Sequence, residues 1–265
     1  MKTAQIEQTA GEVLEAHGCV TAPVDIIGIA EAEGIELASG EYGDEFSGRI
    51  EYHADLGKFI LFHPDLALSR YPNRVRFSIG HELGHYFLEL HRESLLTGVA
   101  HNSTTDFICD EVLEREADEF AAALLIPHFA LKAKMAKRSF MTLAEVLKLA
   151  DDWQSSATSA AIRYAKFTRE ACIVILSENG KVLFWVPSEE AAALGFKFVV
   201  RDRHAPVGVP TALVAAGNLL QLDIKGGGVS SELWFPDRYR QTDLWEEACR
   251  LGGTGRVLTM LSLNN

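Results

Sequence analysis

The chain has 265 residues, 48% hydrophobic and 23% charged, the balance of an ordinary globular protein with room for one or two cored domains. A net charge of −12 and a sequence pI of about 5.2 argue against a whole-chain electrostatic footprint for nucleic acid or membrane surfaces. No apolar run reaches the roughly 18–20 residues of a membrane span. No charged-then-apolar leader opens the sequence, and the four cysteines, Cys19, Cys109, Cys172 and Cys249, are scattered without a CxxC pair. The expectation is a cytoplasmic protein with free thiols and no membrane partner.

Taken in order, Ile6, Ala10, Val13, Leu14 and His17 recur at helical spacing, with Gly18 as a stop. A second helix is predicted from Val24 to Glu33, ending at Gly34. Residues 46–52 alternate like a strand, 54–57 have turn chemistry, and 58–62 read as a second strand. An edge strand here would hold an extended peptide by main-chain hydrogen bonds, so Phe46, Ser47, Gly48 and Arg49 are candidate substrate-binding residues. The other reading is that the hairpin is scaffold only.

A helix predicted over residues 76–88 carries His81-Glu82-Leu83-Gly84-His85. This is the H-E-x-x-H pattern, set among apolar Phe77, Leu83, Phe87 and Leu88. Histidines four apart share a helix face, so both can reach one zinc ion, and the intervening glutamate can take a proton from the attacking water. The plain alternative is two core histidines hydrogen-bonded to backbone. The polar stretch 91–110 is long for a loop and reads as an active-site flap. Tyr86, His91 and His101 read as structural or solvated.

A helix rich in Ala, Leu and Glu is predicted from Glu111 to Leu125, stopped by Pro127. Glu114, Ala117, Asp118 and Ala121 share one face of it. Ala117 and Ala121 are small enough for close packing on another helix. If that partner is the H-E-x-x-H helix, Glu114 supplies a third ligand and Asp118 accepts the other ring N–H of a ligand histidine. Glu116 points about 160° away from Glu114 and is expected in solvent. Cys109, five residues before Glu114, has two readings. If the loop folds over the metal, its thiolate fills the open position as an inhibitory fourth ligand and the enzyme is latent; otherwise it is a small buried apolar residue.

From Glu114 to Pro127 the sequence matches E-x-x-A-(N/D)-x-F-A-x-x-L-L-x-P throughout. Together with residues 76–85, this resembles the ImmA/IrrE family of metallopeptidases, over about residues 20–128. The resemblance implies a zincin-like fold and one Zn²⁺ held by His81, His85 and Glu114. It further implies Glu82 as general base and Asp118 behind a ligand histidine. The implied substrate is a DNA-binding repressor, a helix-turn-helix protein encoded nearby, cut in stress, DNA-damage or phage-defence responses.

Beyond the site, residues 130–138, 143–153 and 157–164 have helical patterns, and Thr142 with Glu145 has capping-box spacing. Two helices around Gln154-Ser155-Ser156 suit a helix-turn-helix. Residues 131–170 carry eight basic and four acidic side chains, a net of +4, which permits DNA contact or a DNA-derived signal. A structural helical subdomain is the other reading, since the Ala- and Ser-rich second helix offers few base-reading side chains. Residues 171–186 read as a hairpin about Asn179-Gly180. A helix at 189–194 and a strand at 196–200 follow, with 211–222 ambiguous. Gly226-Gly227-Gly228 reads as a flexible tip, 231–235 and 257–263 as strands, and 244–251 as a helix. This mix resembles the GAF-like sensor domain of some family members.

The expected architecture is α+β, with a zincin-like peptidase domain at 1–128, a helix-turn-helix-like segment at 129–168 and a GAF-like domain at 169–265. The leading function is zinc endopeptidase. The alternative is a DNA-binding transcription regulator using residues 130–168, with the metal fold as scaffold.

Overall fold

A computed structural model describes residues 1–42, 47–97, 111–136, 140–196, 203–217, 223–236, 241–252 and 255–263. Phe46, His101 and Cys109 lie outside them, so the flap beyond residue 97 and the cysteine's reach toward a metal stand as expectations. The architecture is mixed α+β, and it divides into two compact units, residues 1–130 with 151–156, and residues 131–150 with 157–265.

In the first unit, α1 (Thr3–Ala16) buries Ile6, Ala10, Val13 and Leu14, and the chain leaves it through Gly18 at φ +64°. Helix α2 (Ile26–Ala32) starts on Asp25, whose carboxylate accepts from the Gly28 N–H, and Gly34 at φ +72° follows it. A three-stranded sheet comes next, in the order β1-β3-β2, from β1 (Glu36–Gly40), β2 (Arg49–His53) and β3 (Lys58–Pro64). β2 and β3 form the expected antiparallel hairpin. β1 was not foreseen: it pairs parallel to β3, and Glu-Leu-Ala-Ser-Gly has neither β-branched residues nor a clean alternation.

Helix α3 (Pro72–Phe87) has proline in its first turn and buries a continuous run from Ser78 to Tyr86. Buried Arg76 fixes it in the unit, donating to the carbonyls of Gln154 (3.1 Å) and Val24 (2.6 Å). Leu88 ends it, and α4 (Glu89–Leu96) follows at once, so the first part of the expected flap is helical, with His91 and Leu95 buried. Helix α5 (Glu111–Leu125) packs along α3. Two glycines of α3 set the approach. A Cβ on Gly84 would lie 3.1 Å from the Ala117 Cα, and one on Gly80 would lie 3.4 Å from the Ala121 Cβ. The close packing expected of Ala117 and Ala121 is therefore met by glycines on α3.

In the second unit, α6 (His128–Met135), α7 (Leu143–Asp152) and α8 (Ala157–Phe167) carry the predicted helical patterns, α6 and α7 extending past the unit's limits. Thr142 and Glu145 form the capping box, with Thr142 N–H donating to Glu145 (2.9 Å) and Glu145 N–H to Thr142 Oγ1 (3.3 Å). The antiparallel sheet has the order β5-β4-β8-β7-β6, built from β4 (Cys172–Glu178), β5 (Lys181–Pro187), β6 (Lys225–Ser230), β7 (Asp243–Leu251) and β8 (Arg256–Leu263). Asn179 and Gly180 make the β4–β5 turn with positive φ at both, as their residue types require. Short helices α9 (Glu189–Ala193), α10 (Pro210–Ala216) and α11 (Ser231–Trp234) complete the unit.

Three predicted elements here change type. Residues 243–251 are a strand and not a helix: Leu244, Glu246 and Ala248 point inward with period two, and a charged residue in that row hides the pattern. The glycines 226–228 lie inside β6, not at a tip, and a Cβ on Gly226 would meet the Trp245 ring at 3.2 Å, so glycine makes room for the indole. Residues 231–234 are a helical turn rather than a strand. Phe196 is buried outside any strand, and residues 197–200 are not among those described.

Candidate metal centre

His81 and His85 lie one turn apart on the buried face of α3, 7% and 0% exposed. Glu114 reaches them from α5. The His81 Nε2–His85 Nε2 distance is 3.1 Å, His81 Nε2–Glu114 Oε2 is 3.2 Å, and His85 Nε2–Glu114 Oε1 is 3.5 Å. A divalent ion bound tetrahedrally at about 2.0–2.1 Å holds its ligand atoms roughly 3.3–3.4 Å apart. The donor set and its spacing thus fit one ion at this point, and the three residues form a group able to hold one.

The ring orientations agree with that use. His81 Nδ1 is 2.9 Å from Asp118 Oδ1, so the Nδ1–H donates to the carboxylate and Nε2 keeps its lone pair for the centre. Without a metal the centre attracts a proton instead. Burial lowers the proton affinity of His81, but hydrogen bonds to Asp118 and Glu114 and the charge of Glu82 outweigh it, and its pKa rises to about 10.

Glu82 is fully buried beside the pair. The backbone entering β2 passes over it: a Cβ on Gly48 would lie 3.2 Å from Glu82 Cγ and 3.3 Å from its Oε1. A side chain there would press on Glu82, which would have to give by a few tenths of an ångström. Arg49 opens the edge strand β2, Ser47 and Gly48 lead into it, and Phe46 is outside the described residues. The Arg49 side chain pairs with Glu51. Among the described residues no strand pairs with the other edge of β2.

Glu116 departs from its expected place, and His91 takes the structural one of its two readings. Glu116, expected in solvent, is 6% exposed, and its Oε2 is 3.1 Å from His91 Nε2. His91 in turn is fully buried, with its Nδ1 3.1 Å from His85 Nδ1. The helical wheel of α5 gives no sign of this, because the partners of Glu116, His91 of α4 and the Met1 amine, come from elsewhere in the chain. On α8, six residues (Ser159, Ala160, Ala161, Arg163, Tyr164 and Ala165) are buried and only Lys166 is exposed.

A helix bearing two inward histidines and a carboxylate from the helix packed on it form a group that could hold a metal ion, as in a metallopeptidase. The chain belongs to the ImmA/IrrE peptidase family, M78, whose model, described as the IrrE N-terminal-like domain, matches residues 31–164. Among solved structures it is similar to a Mycobacterium tuberculosis transcriptional regulator, with a TM-score of 0.64 and 13% identity, covering 98% of this chain and 76% of that one. That likeness is one of fold. No curated protein matches the chain. No described helix is long and apolar enough to cross a membrane.

Proposed function

We propose that the chain is a zinc-dependent endopeptidase that cleaves a specific protein, a helix-turn-helix repressor encoded nearby, and so switches on a stress, DNA-damage or phage-defence response. The observation that carries the chemistry is the triangle of His81, His85 and Glu114, with sides of 3.1, 3.2 and 3.5 Å. Two imidazoles and one carboxylate make a catalytic zinc set that leaves one position open. Family membership supports peptidase activity, and it is the family resemblance that points to a repressor.

When bound, the ion acidifies a water toward pH 7 and polarises the scissile carbonyl. The protein's own groups do the rest. Glu82 takes the proton from the attacking water and passes it to the leaving amine. Asp118 holds the His81 ring. An extended substrate lies along the edge of β2, with Gly48 letting its backbone approach Glu82. The zincin-like reading rests on this placement of an edge strand beside the histidine helix. In the second unit, the antiparallel sheet runs second, first, fifth, fourth, third by sequence, with helices on it, which supports a GAF-like sensor role. The burial of α8 counts against the regulator that reads DNA with it.

The test is to incubate purified protein and zinc with the neighbouring repressor. Glu82→Gln is expected to slow cleavage by about 10²–10⁴-fold while zinc content and folding persist. Equal cleavage by Glu82→Gln and wild type would remove the enzymatic reading.

A further inference from the structure

His91 and Glu116 are buried polar residues to which the proposed reaction gives no task. Buried polar groups are costly unless paired, and these are paired with each other and with a ligand residue. We propose that His91 and Glu116 are positioning residues that lock His85 as a metal ligand. The inference rests on the metal reading above and adds a relay to it.

Hydrogen-bond direction makes the argument. To bind an ion through Nε2, His85 must carry its proton on Nδ1. That atom is 3.1 Å from His91 Nδ1, which must therefore accept. His91 then carries its proton on Nε2, 3.1 Å from Glu116 Oε2, a carboxylate that accepts it. With both rings neutral, every donor in the row meets an acceptor in this one arrangement, and it is the arrangement that turns the His85 lone pair toward His81 and Glu114. The opposite tautomer of His85 would set two acceptors facing each other or force His91 to turn its N–H away from Glu116. The other oxygen of Glu116 pairs with the Met1 amine.

Each ligand histidine is thus oriented by a carboxylate of α5, but by different routes. Asp118 meets His81 directly and its side chain is 58% exposed. Glu116 meets His85 through His91, with side chains 8% and 0% exposed. Water competes with the first contact and is kept from the second, so the relay is the firmer of the two. Glu114 and Glu116 share α5, so one helix supplies the third ligand and orients the second.

His91→Phe keeps the ring volume and removes both nitrogens. Zinc affinity, measured by competition with a chromophoric chelator on folded metal-free protein, is expected to fall about 10–100-fold. The ligand-field spectrum of the cobalt-substituted protein is expected to shift. A role in packing alone moves neither, so wild-type zinc affinity and cobalt spectrum in His91→Phe would overturn the inference. Should His91→Phe not fold, Glu116→Gln carries the test. It keeps an acceptor for His91 and removes the charge; a several-fold loss of zinc affinity is expected, and no loss overturns the relay. A wild-type chain that binds no zinc would instead overturn the metal reading beneath it.

Discussion

Two clusters built around a carboxylate, one in each unit, differ in what completes them: Glu246 is fully buried, while Glu114 is half-buried beside two buried histidines. In the second unit Glu246 is fully buried on β7. Its Oε1 accepts from the Thr211 N–H (2.7 Å) and hydroxyl (2.6 Å), and its Oε2 from Trp234 Nε1–H (2.7 Å). The Thr259 hydroxyl stands 2.5 Å from that of Thr211. Neutral donors from α10 and α11 meet both oxygens, so the cluster closes on itself and pins two short helices to the sheet. At His81, His85 and Glu114 the ring N–H groups point outward, to Asp118 and His91, and the lone pairs converge with a carboxylate. Only a cation completes that arrangement. A carboxylate cluster signals function when acceptors converge on a point and architecture when donors surround it.

The largest expected effect separates the two clusters. Glu246→Leu leaves the Thr211 and Trp234 N–H groups buried without their acceptor, at a cost of roughly 1–3 kcal/mol each. Denaturant titration followed by tryptophan fluorescence should show a loss of roughly 2–6 kcal/mol, with zinc affinity unchanged. Loss of zinc binding alongside stability would erase the distinction drawn between the clusters.

A smaller effect is expected where the two site helices touch. Gly84→Ala drives a methyl group against the Ala117 backbone at 3.1–3.2 Å, which neither helix can avoid without moving apart. The cost of such overpacking is about 1–3 kcal/mol, and zinc affinity should fall with it as Glu114 withdraws. Gly80→Ala meets only ordinary contact at 3.4 Å and gains helix propensity of about 1 kcal/mol, so its stability should equal or exceed wild type. The reverse order, measured by thermal melting and zinc competition, would place the helix contact elsewhere.

A third contrast is in pH. His81 in metal-free protein has its pKa raised from 6.5 to about 10. A raised folded value stabilises the fold fully below pH 6.5, and the contribution is lost as pH rises through about 10. Chelated protein should therefore melt lower toward pH 10 than below pH 6.5, and zinc should abolish the trend. Burial also raises the Glu246 carboxyl above 4.5, against the hydrogen bonds from Thr211 and Trp234. Its contribution is whole below that value and shrinks as pH rises through the folded one, a change zinc should not affect.

The grouping of His81, His85 and Glu114 is legible because spacing and residue type point to it: histidines four apart, a glutamate between, and a carboxylate on a helix with small residues at positions 117 and 121. Gly80 and Gly84, which let that helix approach, lie in the same stretch and pass for neutral. What pattern could not show is which side of α5 a neighbour covers, and so Glu116 was assigned to water. No local signal marks the His91–Glu116 contact, because α4 brings it about through three dimensions. In the second unit the hairpin at Asn179-Gly180 was plain, since two residues needing positive φ name the turn. β7 was hidden by its composition, because Glu, Ala and Leu favour helices until sheet neighbours decide otherwise. β1 offered only five residues and a parallel partner 24 positions away, too distant for local pattern to find.

The most direct measurement is anomalous X-ray scattering at the zinc edge from crystals grown with one equivalent of Zn²⁺. The expected result is a single strong peak at bonding distance from His81 Nε2, His85 Nε2 and Glu114, with Glu82 alongside. A peak elsewhere, or none between the imidazoles while Glu114 turns away, would contradict the account.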